Sequence, residues 1–388
     1  MADRTGTFDG VHRRNLSKLL VLAHLEGPLS RARLTAETGL NRSTVASLAS
    51  ELADLGLVEE RAPDPTNRVG RPSPVVAAHP SVQAIVVNPE VDAVTIAAVG
   101  LNARIVVRER IEVDHLVTPA ETADLVAGVL ARWQASELRD ARIVGVGLAV
   151  PGQVRSDDGL VRWAPHLEWT DAPVRALVEA ATGLPAGVAN DASLGARAEH
   201  LFGAGRGVDD LVYLNGGASG IGGGLVVGGR LVSGTRGYAG EFGQNRPGIA
   251  RQDDRRVPDG VLEDEVSRAR LLQVVGLTHA DEPTLAAALA ASDGLAVAEE
   301  LARQQRILAT ALGNAVNVLN PSLIVLGGFL ATLAAHDAAA LEAAVAAQSL
   351  PVACEGLDIK VAELGENRLL IGAAELAFAR LLADPLAD

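Results

Sequence analysis

The residues best suited to chemistry lie in the second half of the chain. Asn190-Asp191 follows a short apolar stretch and precedes a helical pattern. This predicts a position at the carboxyl end of a strand, where open α/β sheets bind ligands. A carboxylate there could accept hydrogen bonds from hydroxyl groups, or take a proton during phosphoryl transfer. Taken alone, Asp191 is better explained as a helix cap.

Two further carboxylates and a glycine-rich loop follow. Residues 216–224 read Gly-Gly-Ala-Ser-Gly-Ile-Gly-Gly-Gly. The backbone N–H groups of such a loop could close around a phosphate, although a hairpin would use the same glycines. Glu241, within the stretch from Ala239 to Gln244, and Glu263 offer two more carboxylates. Each of them alone is typical of a solvated surface acid.

A different set of candidates lies near the N-terminus, where three short helices are predicted. Leucines and an alanine recur at helical spacing from Leu16 to Ala23. Ser30 is suited to cap a second helix over 31–37 that Gly39 ends, and Asn41 to cap a third that Gly56 ends. The tight turn from Gly39 to Asn41 is typical of a helix-turn-helix.

The third helix is predicted to present a small polar face. One side of this helix carries the apolar residues Val45, Leu48, Leu52 and Leu55. The opposite side carries the small residues Ser43, Ala46, Ser47 and Ser50. Such a face fits closely into a DNA major groove, and the helix N-terminus can meet phosphates or base edges. The candidate DNA contacts are Arg42, Ser43, Thr44 and Ser47. A small helical protein-interaction domain is the alternative.

Strands over 57–61 and 74–78 are predicted to form a wing around a loop from Ala62 to Ser73. In this loop Arg71 stands between Gly70 and Pro72, and a cation presented in this way can enter a narrow minor groove. A proline-rich linker is the alternative interpretation.

After residue 78 the pattern changes to strands alternating with helices. It predicts meanders over 82–113 and 211–233, each followed by helices and a strand. The predicted helices include one over 170–182 after the first meander and those over 285–316 after the second. Two such successive units indicate a duplicated α/β fold with a cleft between its lobes.

Charge is unevenly distributed over the 388 residues. The net charge is −14, but residues 1–78 carry ten Lys and Arg against nine Asp and Glu. The acidity therefore lies in the remainder, which would repel phosphates, and only the first segment is expected to approach DNA.

Cysteine usage and hydropathy exclude several classes of protein. Cys354 is the single cysteine, which excludes an intrachain disulfide and a thiolate zinc cluster. No run reaches the roughly 18 apolar residues of a membrane helix. Because Met1 to Gly10 is polar, no signal peptide is predicted, and the expected location is cytoplasmic, without a membrane partner.

Taken in their order, these motifs resemble the ROK family of repressors, open reading frames and sugar kinases. The stretch from Asn15 to Pro72 is similar to the family's repressor-type DNA-binding domain. The sugar-kinase part is similar at 149–152, 189–192, 216–224, 237–243 and 320–328. The resemblance implies an actin-like ATPase (ribonuclease H-like) fold after a winged helix-turn-helix. It also implies sugar hydroxyl contacts from Asn190, Asp191, Glu241 and Glu263, with Asp191 as the base in kinases.

The chain departs from the family pattern at two places. Family kinases carry Asp-x-Gly-Gly-Thr in the first hairpin, whereas this chain has Asn88-Pro89-Glu90-Val91-Asp92. The added carboxylates and lost glycines oppose approach to nucleotide phosphates, so productive ATP binding is not expected. The family's zinc site uses a His and three cysteines, but Gln244 replaces the His and residues 246–261 hold no cysteine. Neither a metal nor a cofactor is therefore expected.

The sequence thus predicts a sugar-controlled DNA-binding regulator, with repression favoured by the family, and no enzymatic activity. The expected segments are 1–78 for the DNA-binding domain with its linker, 79–190 with 371–388 for the first lobe, and 191–370 for the second. A homodimer or homotetramer on a palindromic operator is expected, with a small sugar as effector. An active sugar kinase with an appended DNA-binding domain, or a regulator that has lost sugar sensing, remain the alternatives.

Overall fold

The computed structural model describes residues 5–61 and 74–387. The chain forms two compact units. The first comprises residues 1–148, 173–188 and 373–388, and the second comprises 149–172 and 189–372. The segment boundaries predicted at 78/79, 190/191 and 370/371 stay predictions.

The first unit begins with the helix-turn-helix that the sequence predicts. Ser30 accepts a hydrogen bond from the N–H of Arg33, Gly39 ends the second helix at φ 71°, and Asn41 accepts from the N–H of Thr44. Each helix is thus delimited by its own local signals. The elements are α1 (Thr5–Glu26), β1 (Leu29–Ser30), α2 (Arg31–Thr38), α3 (Arg42–Asp54), β2 (Val58–Arg61) and β3 (Val75–Ala78).

The predicted wing is present as an antiparallel pair. β2 and β3 pair from Val58 opposite Ala78 to Arg61 opposite Val75, and β1 extends the sheet by pairing with β3. The loop at 62–73, which includes Arg71, lies outside the described residues, so its predicted role remains a prediction.

The other elements follow in chain order. The strands are β4 (Val82–Pro89), β5 (Ala93–Gly100), β6 (Arg104–Glu112), β7 (Arg142–Val150), β8 (Gln153–Val154), β9 (Val161–Ala164), β10 (Trp169–Ala172), β11 (Ala186–Asn190), β12 (Leu211–Gly217), β13 (Gly220–Val227), β14 (Arg230–Leu231), β15 (Leu323–Gly328) and β16 (Asp358–Val361). The helices are α4 (Pro119–Gln134), α5 (Val174–Thr182), α6 (Asp191–Phe202), α7 (Leu262–Glu265), α8 (Arg268–Val274), α9 (Glu282–Ala290), α10 (Leu295–Leu319), α11 (Phe329–His336), α12 (Ala338–Ala346) and α13 (Arg368–Ala383).

The two main sheets have the same topology. One is ordered β6-β5-β4-β7-β11 and the other β14-β13-β12-β15-β16. In each, three antiparallel strands form a meander, and a parallel strand joins its inner edge. The repeated order confirms the duplicated α/β fold predicted from the sequence. In the second sheet, apolar side chains of β12 and β15 pack in one core with those of α10 and α11.

Within the first unit, the helix-turn-helix packs against α13. His24 Nε2 lies 2.8 Å from Glu375 Oε1, and both side chains are almost fully buried. The backbone N–H of Asn102 donates to His24 Nδ1 at 3.1 Å, so Nδ1 is the acceptor and Nε2 carries the proton that Glu375 accepts. Ser17 also donates to the carbonyl oxygen of Leu382 at 2.6 Å. These polar contacts anchor α1 to the end of the chain.

One predicted helix differs from the structure. Residues 170–182, predicted as one helix, instead contain the end of β10 and then α5, because the chain turns at Pro173, which lacks an N–H group. The helices predicted over 285–316 are present as α9 and α10, which are separated by residues 291–294. Among the described residues, no single helix has the length and apolar character to cross a membrane; α11 and α12 meet those limits only as a pair bent by 90°.

Candidate functional site

The outward face of α3 carries the predicted DNA contacts. Arg42, Ser43 and Ser47 are exposed, and Thr44 is partly exposed. The opposite side of the helix is buried through Val45, Leu48 and Leu52. The Ser43 hydroxyl donates to Asn41 Oδ1 at 2.7 Å, which fixes the first turn. The helix therefore offers a short-chain polar surface and one cation at its N-terminus, as a major groove requires.

In the second unit, Asn190 and Asp191 lie where β11 ends and α6 begins. Asn190 caps α6 by accepting from the N–H of Ser193 at 2.9 Å, and its Nδ2 donates to the carbonyl oxygen of Gly152 at 3.0 Å. Asp191 Oδ1 accepts from the N–H of Ala192 at 2.8 Å. Asn190 is thus the cap, which leaves the Asp191 carboxylate available for another role.

The environment of Asp191 alters its acidity. Burial raises the pKa of Asp191 to about 6, and the negative charge of Glu241 adds to this effect. The N–H of Ala192 and the positive charge of Arg368 act in the opposite direction. A carboxylate with such a pKa is typical of a functional site, since burial of an acid is otherwise unfavourable.

Glu241 and Glu263 complete a group of acidic side chains. Burial raises the pKa of Glu241, and the neighbouring charge of Glu263 raises it further. Glu263 Oε2 accepts from the N–H of Ile221 at 3.0 Å, and its Oε1 accepts from Gln244 Nε2 at 2.6 Å. The three carboxylates predicted to bind a sugar therefore lie close enough for their charges to interact, in the pairs Asp191–Glu241 and Glu241–Glu263.

The glycine-rich loop forms a hairpin that holds Glu263. Residues 216–224 are the facing ends of β12 and β13, with Gly217 paired to Gly220. A Cβ on Gly220 would lie 2.3 Å from Glu263 Oε2, and one on Gly243 would lie 2.7 Å from the same atom. Gly220 also stands at φ 130°, and a Cβ on Gly243 would collide with the carbonyl oxygen of Ile221, so a side chain is strained at both positions.

The first hairpin does not fit nucleotide phosphates. Its turn places Glu90 and Asp92 around the Arg110 guanidinium, at 3.3 Å and 3.0 Å respectively. Burial raises the pKa of Glu90, while Arg110 opposes that shift. Two carboxylates paired with an arginine thus occupy the turn where the family's kinase pattern has glycines, and they would repel nucleotide phosphates.

The segment that replaces the family's zinc loop does not fit a zinc ion either. Among the residues that the structure describes, no cluster of three His, Cys, Asp or Glu side chains could hold a metal. Instead, Glu265 accepts from the N–H groups of Arg256 and Val257 at 2.9–3.0 Å. Arg303 binds Glu265 Oε2 at 3.0 Å and the carbonyl oxygen of Asp254 at 2.8 Å. A buried arginine of α10 therefore connects this loop to the helix.

Sequence reasoning missed three residues that support these acids. Gln244 was identified only as the replacement for a zinc-binding His, yet it holds Glu263. Arg368, at the start of α13, acts on Asp191 through its charge, and Arg303 orders the loop next to Glu263. Their partners lie far away in the sequence, so neither periodicity nor a local motif points to them.

Comparisons with known proteins match both parts of the chain. The model of the ROK family matches residues 90–380, and that of the IclR helix-turn-helix domain matches residues 16–62. A xylose repressor of Caldicellulosiruptor bescii is 26% identical over 396 residues, which cover 96% of this chain and 98% of the repressor. A glucokinase of Halalkalibacterium halodurans is 29% identical over 254 residues, which cover 59% of this chain and 74% of the kinase.

Solved structures show the same fold. A ROK family transcriptional regulator, described as a homologue of the E. coli MLC protein, has a TM-score of 0.76 and 24% identity, and covers 97% of this chain and 98% of its own. A Streptomyces griseus glucokinase in complex with glucose and AMPPNP has a TM-score of 0.56 and 23% identity, and covers 76% of this chain and 99% of its own. The kinase therefore leaves about a quarter of this chain unmatched.

Proposed function

The chain belongs to the ROK family, and we propose that it is a transcription repressor whose affinity for an operator is controlled by a small sugar. One observation carries this proposal: a helix-turn-helix with an exposed polar recognition helix precedes the ROK domain in one chain, and a xylose repressor matches this chain over almost its whole length. The operator contacts come from α3, and a homodimer or homotetramer places two such helices on a palindrome. The location is cytoplasmic.

The effector binds at the group of acidic side chains in the second unit. Carboxylates and an amide are the groups that recognise sugar hydroxyls, because they accept hydrogen bonds in fixed directions. Asn190, Asp191 and Glu241 supply such groups, and Glu263 is held in place by Gln244 and the hairpin. Release of the operator requires the sugar to bind one conformation of the protein better than the other. Xylose is the first effector to test, because the matched repressor is a xylose repressor.

Arg42→Gln is expected to weaken operator binding by about five- to a hundredfold, since one arginine contact to DNA contributes roughly 1–3 kcal/mol. The measurement is an electrophoretic mobility shift on the DNA upstream of the protein's own gene. Arg139→Gln, which changes an exposed arginine outside the helix-turn-helix, is the matched control. If the wild-type protein shows no preference for this DNA over a shuffled duplex, the proposal is wrong.

A sugar kinase is the second candidate function, favoured by one observation. Asp191 has a pKa of about 6, which suits a general base near neutral pH. The Glu90–Arg110–Asp92 group opposes this function because it fills the turn that nucleotide phosphates would need.

We therefore expect no sugar-dependent release of ADP from ATP in a coupled assay with xylose, glucose and N-acetylglucosamine. Any background turnover should be the same in Asp191→Asn. Turnover that depends on sugar and disappears in this variant would establish the kinase instead.

The third possibility is a regulator without a sugar ligand. It predicts that no sugar raises the Tm, whereas a ligand that binds the folded protein stabilises it by about 2.7 kcal/mol at about 100 times its Kd.

A further inference from the structure

A cavity in the second unit has a chemistry different from that of the acidic group. It has a volume of about 420 Å³ and is lined by Gln153, Arg155, Arg162, Trp163, Arg236 and Tyr238. Three guanidinium groups, one amide and two aromatic rings therefore face it, and no carboxylate belongs to its lining. In a chain with a net charge of −14, such a concentration of arginine is unexpected for an ordinary surface.

The walls of this arginine cavity are fixed by local contacts. Gln153 and Trp163 are cross-strand partners on β8 and β9. The N–H of Ser156 donates to the carbonyl oxygen of Arg236 at 3.1 Å, and Gly237, at φ 94°, packs so closely on Val154 that a Cβ would lie 2.6 Å from its carbonyl oxygen. The loop that carries Arg236 and Tyr238 is thereby held against the hairpin that carries the other lining residues.

Two of the three arginines are oriented by their own carboxylates. Arg155 Nε donates to Asp158 Oδ1 at 2.8 Å, and Arg162 lies 2.9 Å from Asp171. Among the residues that the structure describes, the Arg236 side chain has no such carboxylate. Arg236 therefore supplies the uncompensated positive charge, and the other two supply preorganised N–H donors that an anion can share.

The aromatic side chains indicate what the anion is attached to. Trp163 is 53% exposed, although the other two tryptophans, Trp133 and Trp169, are almost fully buried. An exposed indole beside arginines offers a flat surface on which a ring can pack. The volume lies near the lower end of the range for small-molecule pockets, so it suits a single ring with one phosphate and is too small for a dinucleotide.

We propose that the arginine cavity is a second ligand site that binds a phosphate monoester carrying a five- or six-membered ring. The phosphate lies among Arg155, Arg162 and Arg236, and the ring packs on Trp163. This site uses none of the acidic residues assigned to the sugar, and it stands whether or not those residues bind one. Gln153 follows Gly152, whose carbonyl oxygen holds Asn190, so a ligand here contacts a segment that also supports the first site.

The test is a titration of the full-length protein followed by tryptophan fluorescence. Glucose 6-phosphate and AMP represent the two sources of such a monoester, and inorganic phosphate tests the need for a ring. We expect at least one monoester to change the fluorescence saturably and more tightly than inorganic phosphate. The signal should be absent in Trp163→Phe, and Arg236→Gln should weaken binding by about tenfold or more, as expected for hydrogen bonds to a charged group.

Arg230→Gln is the matched control, since it alters an exposed arginine of the same unit that does not line the cavity. Its affinity should equal that of the wild type, and all variants should keep the wild-type Tm because the changed side chains are exposed. The proposal is overturned if neither monoester binds, if inorganic phosphate binds as tightly, or if Arg236→Gln binds as the wild type does. It is also overturned if the Trp163 signal follows protein concentration alone, because Trp163 would then contact a second copy of the chain.

Discussion

Asp191→Asn is expected to stabilise the protein at pH 7.5, by up to about 3 kcal/mol in the free energy of unfolding. The pKa of Asp191 is raised from 3.8 to about 6, and each pKa unit corresponds to about 1.4 kcal/mol. The folded state binds the proton of Asp191 more tightly than the unfolded state does. Protonation therefore stabilises the folded state, and this contribution is fully present below about pH 4. It is lost as the pH rises through about 6. At pH 7.5 the ionised side chain therefore opposes folding, and asparagine removes this cost.

Asparagine preserves the local geometry, which makes this substitution informative. Its Oδ1 can still accept from the N–H of Ala192 and from Asn190 Nδ2, as Asp191 does at 2.8 Å and 3.2 Å. Urea denaturation at pH 7.5, 6.0 and 4.0 measures the effect, and Asp157→Asn, at an exposed position, is the control. A gain that is equal at all three pH values, or no gain at pH 7.5, would contradict the assignment.

The same substitution is expected to abolish the response to sugar. Asparagine replaces a charged acceptor by a neutral group and presents a donor where a sugar hydroxyl would donate. Operator binding in the mobility-shift assay should be unchanged, while release by xylose should be lost. A residue that lowers stability and is required for the response is retained for function. If the Asp191→Asn protein is more stable and xylose still releases it from the operator, the effector binds elsewhere.

The sequence predicted those features that depend on local chemistry. Ser30, Gly39 and Asn41 define the ends of α2 and α3 because a cap acts within one helical turn. Asn190-Asp191 was located in the same way, since a strand, a cap and a helix follow one another directly. The paired meanders were predicted because their strands are consecutive in the chain.

Features built from distant residues could not be predicted. The short strands β8, β9 and β10 were missed because they are two to four residues long and turn through non-glycine residues at positive φ, such as Glu168 and Asp171. The arginine cavity combines this hairpin with the loop around Arg236, about 70 residues later. The family pattern points to Glu263 but not to Glu265, two residues away. Glu265 holds the loop by binding Arg303 of α10, and no sequence motif marks that arginine.

Arg303→Met is expected to lower the free energy of unfolding of the second unit by about 3–5 kcal/mol, the usual cost of removing one partner of a buried ion pair. Arg303 is 2% exposed and Glu265 is fully buried. Arg303 binds Glu300 through two nitrogens as well as the carbonyl oxygen of Glu265. Methionine fills similar space but removes the positive charge and the N–H donors that Arg303 supplies to two buried carboxylates, Glu265 and Glu300, and to two carbonyl oxygens.

Arg306→Met is the matched control, because it changes the next arginine along the same face of α10. Arg306 pairs with Asp254 at 2.6 Å, but its side chain is 39% exposed, so its loss should cost only about 1 kcal/mol. Chemical denaturation of both variants, with and without EDTA, gives the comparison. Stability should be independent of the chelator, because Arg303 and not a metal connects the loop to α10.

Arg303→Met also separates the role of the loop from that of α3, the helix proposed to contact the operator. Glu263 and Glu265 both belong to the four-residue helix α7, so loss of the Arg303–Glu265 bond is expected to displace Glu263 from Ile221 and Gln244. Where the variant remains folded, the sugar should therefore release it from the operator only at about tenfold higher concentration or more, as expected when a hydrogen bond to a charged group is lost. Affinity for the operator without sugar should be unchanged, since α3 lies in the first unit. Equal stability of the Arg303 and Arg306 variants would show that the buried arginine is not the link that orders this loop.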